Sequence, residues 1–297
     1  MTTVRNLISC PQAGFGNRIR SVCSDLILAN LLNRKPWICW TPVSSPIAPD
    51  GCLYDKKPKP FHMTDRGWAC FFKQDSDFFP PADPSSVGVD KIFSHYLAGE
   101  YWHPFQSCGQ KKWLDIDPTI PIIRIEGNLP QLFECNDTTI LIESSGAFAN
   151  PDTKSQTYQK HFVPHDRFFS VLEKKETVDV VVHIRKGDLL WHFKEAQQDP
   201  SEIENWICES FKNKSVTIIS DDYEFKNNFK KSLISRGISV YTPIWGDVQE
   251  WEVPFLEFLF AAFKCNNLFG TPSSSFSEEA GFFGGKLHYS PIPILVP

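Results

Sequence analysis

The clearest hydrophobic pattern in the chain is a continuous apolar run near its middle. The run covers 178–184 with the sequence VDVVVHI, and five of its seven residues are Val or Ile. An apolar run this short and rich in β-branched residues is typical of a strand buried on both faces of a parallel sheet. We therefore predict a strand in the middle of a sheet. In open α/β sheets, ligands bind at the carboxyl ends of the strands. A dense polar set lies at the end of this predicted strand: His183, Arg185, Lys186, Gly187 and Asp188.

The chain beyond this run alternates between helical and extended patterns. Such alternation with short connections predicts a parallel sheet with helices on both faces. The predicted helices are 201–211, 223–235 and 250–264, and the predicted strands are 216–219, 238–241 and 267–270. The prolines of the final SPIPILVP exclude a helix there, and we expect an extended strap.

The N-terminal part predicts a βαβ unit. Strands are expected at 4–9 and 37–40, and apolar residues at three- and four-residue steps predict a helix over 17–32. The first turn carries two glycines, and backbone amides at such a helix start can hold an anion. A dinucleotide-binding fingerprint is the alternative, because Gly14 and Gly16 begin it, but Ile19 stands at the third glycine position.

A different composition separates this unit from two further predicted strands at 121–125 and 139–142. Residues 41–110 are rich in prolines and aromatics, which predicts an insertion whose rings either shape an acceptor pocket or fill a minor core. Residues 150–155 have the composition of a linker. We therefore predict a first domain over 1–155 and a second over 156–297.

Composition and charge exclude several classes of protein. The chain has 297 residues and a net charge of −5 without a basic block, which argues against a nucleic-acid binder. No segment approaches the roughly 18 apolar residues of a spanning helix, and the start lacks a signal-peptide pattern, so we expect a soluble, cytoplasmic protein. The nine cysteines lack metal-ligand spacing; we expect them to be reduced and mostly buried, with no metal site.

Three short motifs carry a resemblance to a known family. They are GFGNRIR at 14–20, HIRKGD at 183–188 and SSSFS at 273–277. In this order they resemble the superfamily of α1,2-, α1,6- and protein O-fucosyltransferases, whose members use GDP-fucose. The resemblance implies a GT-B-like α/β fold of two Rossmann-type domains facing a cleft. It also implies a glycan acceptor on the first domain, a nucleotide-sugar donor on the second and no other cofactor.

Sugar transfer from a nucleoside diphosphate requires the departing diphosphate's charge to be neutralised. Arginine suits this task because its planar fork holds two phosphate oxygens, and we place Arg185 there, as the family does with its HxR arginine. An exposed ion pair between Arg185 and Asp188, beside a core histidine at 183, is the alternative. The resemblance places the glycine-loop residues beside the same diphosphate, with Asn17 also a catalytic candidate: Gly14, Gly16, Asn17 and Arg18. By itself, Arg18 would be an ordinary exposed helix residue.

Two further groups are implied to bind the donor. The family's SSF motif lies at the diphosphate and corresponds to Ser274, Ser275 and Phe276, although Ser275 with Glu278 also fits a capping box. An acidic pair in the family lies near the nucleoside, which points to Asp221 and Asp222. These two acids also fit a plain helix N-cap. They have no spacer between them and do not form a DxD metal motif.

The general base is not set by the resemblance. Some family members have a glutamate about ten residues beyond the HxR histidine, but position 193 is phenylalanine. The nearby candidates are His192 and Glu195, and a carboxylate of the first domain such as Asp25 is the alternative. Asp188 is predicted to orient the arginine.

These observations lead to one hypothesis and two alternatives. The hypothesis is an inverting, metal-independent transferase that moves fucose from GDP-fucose to a glycan. The first alternative is a GT-B transferase that uses another nucleotide sugar, because residues that bind the diphosphate discriminate little between sugars. The second is a sugar- or nucleotide-binding module without turnover.

Overall fold

The chain forms two compact units, Met1–His165 and Asp166–Pro297. This computed structural model describes residues 4–11, 14–40, 67–73, 88–94, 120–125, 128–144, 146, 151–186, 198–285 and 289–293. The division falls ten residues beyond the predicted domain boundary, because the segment predicted as a linker starts a helix of the first unit.

The first unit contains a five-stranded parallel sheet. Its strand order is β2-β1-β5-β3-β4, and β1 pairs with β2 on one side and with β5 on the other. The sequence placed β3 inside an insertion, and this was wrong, because β3 pairs with both β5 and β4 and belongs to the sheet. The strands are β1 (Asn6–Pro11), β2 (Lys35–Ile38), β3 (Lys91–Ser94), β4 (Ile122–Arg124) and β5 (Thr139–Ser144).

Three α-helices accompany this sheet in the described residues. The long helix α1 confirms the prediction from periodicity, and α3 begins in the predicted linker. The helix α3 packs on α1, which is why the first unit extends past it. The helices are α1 (Phe15–Leu31), α2 (Leu129–Glu134) and α3 (Pro151–His161), and a 3-10 turn covers Trp68–Cys70.

The first sheet buries both of its faces. Alternate residues of β1 point to opposite sides, so Leu7 joins the apolar cluster that includes Leu28 of α1, whereas Ile8 joins the cluster that includes Cys39. This two-sided burial explains why the strands read as apolar runs rather than as alternating patterns.

Aromatic side chains of the segment 67–73 fill a core beside α1. Trp68, Phe71 and Phe72 are buried. Phe71 lies 5.2 Å from the ring of Phe15, and Trp68 lies 5.0 Å from the ring of Phe162 in the turn after α3. For these residues the minor-core interpretation is confirmed. The rest of the predicted acceptor region, 41–66, 74–87 and 95–110, lies outside the described residues.

The second unit confirms the alternation predicted for it. Its parallel sheet has the order β10-β9-β6-β7-β8, so the predicted central strand, β6, is the middle strand. The final strand supports the predicted C-terminal strap as far as residue 293. The elements are α4 (Asp166–Glu173), β6 (Val178–Ile184), α5 (Pro200–Ser210), β7 (Ser215–Ser220), α6 (Tyr223–Ser235), β8 (Ser239–Val240), a 3-10 turn (Glu250–Glu252), α7 (Val253–Phe263), β9 (Cys265–Gly270), α8 (Ser275–Phe283) and β10 (Tyr289–Pro291).

The two faces of the central strand β6 carry different kinds of residue. Val180, Val182 and Ile184 pack in the cluster that includes α5 and α6. The alternate position His183 points to the other side, where its ring meets Phe276 of α8. A polar residue thus faces α8 just before the strand ends.

Two glycines allow α8 to pack closely against α7 and β9. A Cβ added at Gly284 would lie 2.0 Å from the carbonyl oxygen of Ala262 in α7, and one at Gly270 would lie 2.0 Å from Oγ of Ser277. Side chains at these positions would push α8 away from α7 and β9. The start of α8 is therefore held directly beside the end of β9.

Candidate functional site

The carboxyl edge of the second sheet gathers the polar ends of three neighbouring strands. Because β9, β6 and β7 are adjacent and parallel, their last residues lie side by side. The segments that follow them are 185–186, 221–222 and 271–275. The sequence predicted site residues in all three segments, and the structure brings them together.

Asp221 holds both residues that follow β6. Its Oδ1 accepts a 2.7 Å hydrogen bond from the backbone N–H of Lys186, and its Oδ2 lies 3.8 Å from Nε of Arg185. The Arg185 side chain is partly exposed, so its guanidinium can also reach a ligand. Asp221 therefore orients Arg185. The same role predicted for Asp188 stays a prediction, because Asp188 lies outside the described residues.

Asp222, the neighbouring acid, has a separate role. Its Oδ1 accepts a 2.9 Å hydrogen bond from the backbone N–H of Phe225, which makes it the N-cap of α6. The plain N-cap interpretation is thus confirmed for Asp222. The two adjacent acids point to different partners and do not act as a pair.

The start of α8 is a candidate anion site. Ser274 is its N-cap residue, and a tight turn precedes it in which Ser273 has a φ of 62° and the Ser274 N–H bonds to the Thr271 carbonyl at 3.1 Å. The Ser274 hydroxyl is fully buried and has no hydrogen-bond partner within the described residues. Free backbone amides at a helix start bind phosphate and carboxylate groups.

The capping box predicted from Ser275 and Glu278 is wrong. Ser275 is the first residue inside α8, and the N-cap position before it makes no side-chain capping bond. The turn that ends at Ser274 starts the helix one residue earlier than the pattern suggested. The cap position is thereby left to a hydroxyl that has no partner inside the helix.

His183 is a neutral histidine that supports Phe276. The two rings stack with centroids 4.7 Å apart, and the histidine is 3% exposed. Burial lowers the pKa of His183 to about 3, and the positive charge of Arg185 acts in the same direction. It is a core histidine, as the alternative interpretation held, but its Nδ1 has no hydrogen-bond partner in the described part of the chain.

Thr271 is a site residue that the sequence analysis missed. Its hydroxyl oxygen accepts a 2.9 Å hydrogen bond from the backbone N–H of Arg185, and its own N–H bonds to the His183 carbonyl at 3.0 Å. The one sequence signal that could have pointed to Thr271 is its position between β9 and the serine cluster. Nothing in the local pattern shows that a threonine there reaches the next strand.

Gly14 immediately precedes α1, and Gly16 lies in the first turn of this helix. Gly14 is exposed at the N-cap with a φ of −68°, Gly16 is buried, and Asn17 is half-buried in the first turn. Arg18 is fully buried, with its guanidinium carbon 5.4 Å from the centre of the Trp40 ring. The interpretation of Arg18 as an exposed helix residue is therefore wrong, because α1 turns this position into the aromatic core.

Asp25 of the first unit is buried in the fold. Its side chain is fully buried and accepts a 2.5 Å hydrogen bond from the Ser9 hydroxyl. Burial raises the pKa of Asp25 well above its usual value, and hydrogen bonds from Ser9 and Ser21 offset part of this effect. These contacts explain Asp25 as a link between α1 and β1 and argue against the alternative of a general base.

The remaining site predictions fall outside this geometry. The residues Asp188, His192 and Glu195 lie outside the described residues, so the identity of the base stays a prediction. Within the ranges given above, no group of three or more His, Cys, Asp or Glu side chains could hold a metal ion. The same ranges contain no helix long and apolar enough to cross a bilayer.

Comparison with solved structures shows the same fold in fucosyltransferases. The structure of POFUT1 in complex with GDP-fucose aligns with a TM-score of 0.56 at 16% identity, over 99% of this chain and 99% of that chain. The NodZ alpha-1,6-fucosyltransferase soaked with GDP-fucose aligns with a TM-score of 0.54 at 14% identity, over 94% and 92%. Fucosyltransferase NodZ from Bradyrhizobium gives 0.54 at 15%, over the same shares.

No model of a known protein family matches the chain, and no curated protein matches its sequence. The fold likeness spans nearly the whole chain at low identity. The resemblance read from the three motifs is therefore confirmed at the level of the fold, as an α/β chain of two parallel-sheet units like those of the GDP-fucose-dependent enzymes.

Proposed function

We propose that the protein is a glycosyltransferase that moves fucose from GDP-fucose to a glycan acceptor, with inversion and without a metal ion. One observation carries the proposal. At the carboxyl edge of the second sheet, a partly exposed Arg185 and the start of α8 lie at the ends of adjacent strands, where a diphosphate would meet both. Two structures with the same fold support this donor: POFUT1 in complex with GDP-fucose and NodZ soaked with GDP-fucose.

The chemistry required is stabilisation of a departing diphosphate. As the bond between the sugar carbon and the phosphate oxygen breaks, negative charge grows on the diphosphate. In this proposal, Arg185 binds that charge with its planar fork, and the amides at the start of α8 and the Ser274 hydroxyl donate hydrogen bonds to it. Such preorganised donors gain strength where charge develops, which is how they lower the barrier.

Other residues of the second unit keep these groups in place. Asp221 restrains Arg185 and the backbone beside it. His183 is neutral and stacks on Phe276, so it supports the first turn of α8 and adds no charge. Asp221 is also the acid available for the nucleoside, because Asp222 already caps α6.

The first unit contributes predicted ligands that the motif supplies. We retain Gly14, Gly16 and Asn17 as donor-binding candidates on the strength of the resemblance. Arg18, which the motif also places at the diphosphate, is fully buried against Trp40. We therefore propose that it shapes the start of α1 and does not contact the donor. Transfer also needs a group that accepts the proton of the acceptor hydroxyl, and for this we retain Glu195 and His192.

The proposal is tested by binding and turnover with a panel of nucleotide sugars. Purified protein is titrated with GDP, UDP, GDP-fucose, GDP-mannose and UDP-galactose, and release of free nucleotide is followed with each donor over a glycan array. Binding of GDP and turnover of GDP-fucose alone are expected. Turnover of a different donor would support the alternative transferase, and tight binding without any turnover would support the binding module.

A further inference from the structure

Thr271 joins the two parts of the proposed diphosphate site. It is the first residue after β9 and is 1% exposed. Its hydroxyl oxygen accepts the hydrogen bond from the Arg185 N–H at 2.9 Å and lies 3.4 Å from the His183 carbonyl oxygen, to which it donates. A single hydroxyl therefore bonds to two backbone groups at the end of β6, the His183 carbonyl and the Arg185 N–H.

The Arg185 N–H lies just beyond the paired part of β6 and β9, where the sheet no longer supplies a hydrogen-bond acceptor. The register between β6 and β9 ends at His183 opposite Gly270. A backbone N–H this close to a buried strand needs an acceptor, because leaving it without one is costly. The Thr271 hydroxyl supplies that acceptor and fixes the backbone from which the Arg185 side chain leaves.

The main chain of Thr271 acts on the other part of the site. Its carbonyl accepts the 3.1 Å hydrogen bond from the Ser274 N–H, which closes the turn that sets the start of α8. The left-handed Ser273 lies inside this turn. Thr271 thus fixes the position of both Arg185 and the amides at the start of α8.

We propose that Thr271 is a positioning residue that sets Arg185 at the correct distance from the start of α8, so that both bind the same diphosphate. The inference rests on the proposed function. Thr271 is buried and acts through Arg185, not through contact with the donor. Its hydroxyl is the part that matters for Arg185, whereas its backbone serves the serine turn whatever the side chain.

The test removes the hydroxyl and measures whether the effect passes through Arg185. Thr271→Val keeps the shape of the side chain and removes the acceptor, and Thr271→Ser keeps the hydroxyl. The matched control is Thr217→Val, since Thr217 is equally buried in β7 and its hydroxyl donates to the Tyr241 carbonyl at 3.0 Å. Each variant is made alone and with Arg185→Ala, and the Kd of GDP is measured for the full chain.

Thr271→Val is expected to weaken GDP binding by about tenfold in the parent and by no more than about twofold beside Arg185→Ala, because interacting residues are not additive. Thr271→Ser is expected within about threefold of the parent. Thr217→Val is expected to change the Kd less than about twofold in both backgrounds, since it lies outside the site. A purely structural role would instead give the same loss in both backgrounds.

Three results would overturn the inference. Thr271→Val with the parent's Kd, or with an equal loss in both backgrounds, overturns it and leaves the proposed function standing. A parent protein that binds no GDP overturns the proposed function and the inference with it. Thermal melts check that the variants are folded, and Thr271→Ala replaces the valine variant under the same criteria if that variant does not fold.

Discussion

Individual residues of the site have roles that depend on what surrounds them. His183 and Arg185 are two positions apart on β6 and its end, yet the first is a neutral buried ring and the second is a partly exposed cation. The difference follows from the strand: β6 is buried on both faces until it ends, and the residues beyond its end are more exposed.

Replacing Arg185 is predicted to remove transfer while the fold survives. Arg185→Ala is expected to lower turnover by about a hundredfold, because one charged contact with a developing charge is worth about 3 kcal/mol in the transition state. Arg185→Lys is expected to restore little of this, since a point charge lacks the planar fork. Steady-state transfer rates with GDP-fucose are the measurement.

Arg236→Ala is the control for this prediction. Arg236 lies just after α6 in the same unit and pairs with Glu204 at 3.3 Å on the surface, so its loss is expected to leave turnover near the parental value. Either Arg185 variant working at more than about a tenth of the parental rate would contradict the role given to Arg185.

The identity of the base is a second prediction at this scale. Removing the group that accepts the acceptor's proton is expected to lower turnover by about 10²- to 10⁴-fold and to leave GDP affinity nearly unchanged. Glu195→Gln and His192→Ala are compared side by side for turnover and for the Kd of GDP, and we expect Glu195→Gln to show the loss. Near-parental turnover in both would show that this loop supplies no base. The reaction would then rely on diphosphate departure alone or on a carboxylate of the first unit.

At the scale of elements, a buried carboxyl joins α1 to β1. Asp25 of α1 accepts the hydrogen bond of Ser9 in β1 with no exposure to solvent. Since burial disfavours the charged form, the pKa of Asp25 in the folded chain is raised above its unfolded value of 3.8. The folded state then holds a proton that the unfolded state releases, so this group stabilises the fold at low pH and its contribution falls as pH rises above about 4.

Asp25→Asn is therefore predicted to remove part of the pH dependence of stability. The variant is neutral at every pH, so its melting temperature should exceed the parent's by a margin that widens as pH rises from about 4 to 8. Thermal melts of both proteins across this range are the measurement. A margin that stays constant with pH would show that Asp25 does not titrate as proposed.

Asp179→Asn is the control of opposite sign. The N–H and hydroxyl of Ser215 bond to Asp179 and lower the pKa of its carboxyl. Its contribution to stability is present above the unfolded pKa and is lost as pH falls through the folded pKa. Asp179→Asn is therefore expected to be less stable than the parent at neutral pH and to approach it in acid.

At the scale of the molecule, the chain contains two parallel sheets and shares its fold with fucosyltransferase structures. Parallel sheets bury both faces and leave their polar chemistry at the strand ends. In the second unit this edge places Arg185 beside the start of α8, and these are the two groups that the proposed function assigns to the diphosphate. A metal ion is not needed for that charge balance if both groups act together.

Transfer is accordingly predicted to be independent of divalent metal. Activity in excess chelator should equal activity in magnesium or manganese, because the diphosphate is neutralised by Arg185 and backbone amides. The adjacent acids Asp221 and Asp222 have different partners, Lys186 and Phe225. A tenfold loss in chelator that manganese restores would show that a metal takes part.

The sequence alone was sufficient for the local features of this protein. The β-branched run identified β6 as the middle strand, and the alternation that follows it identified most elements of the second unit within a few residues. Such features depend on neighbours along the chain, which is why period and composition reveal them. The three motifs also implied the fold through their resemblance to the fucosyltransferase superfamily, and the likeness to solved structures confirms it.

Only the tertiary structure decided which residues from distant segments meet. Thr271 lies 86 positions from Arg185 and reaches it across adjacent strands, and β3 joins a sheet from within a segment of irregular composition. The burial of Arg18 against Trp40 arises in the same way. Each depends on packing between segments far apart in sequence, and such contacts leave no periodic trace in either segment.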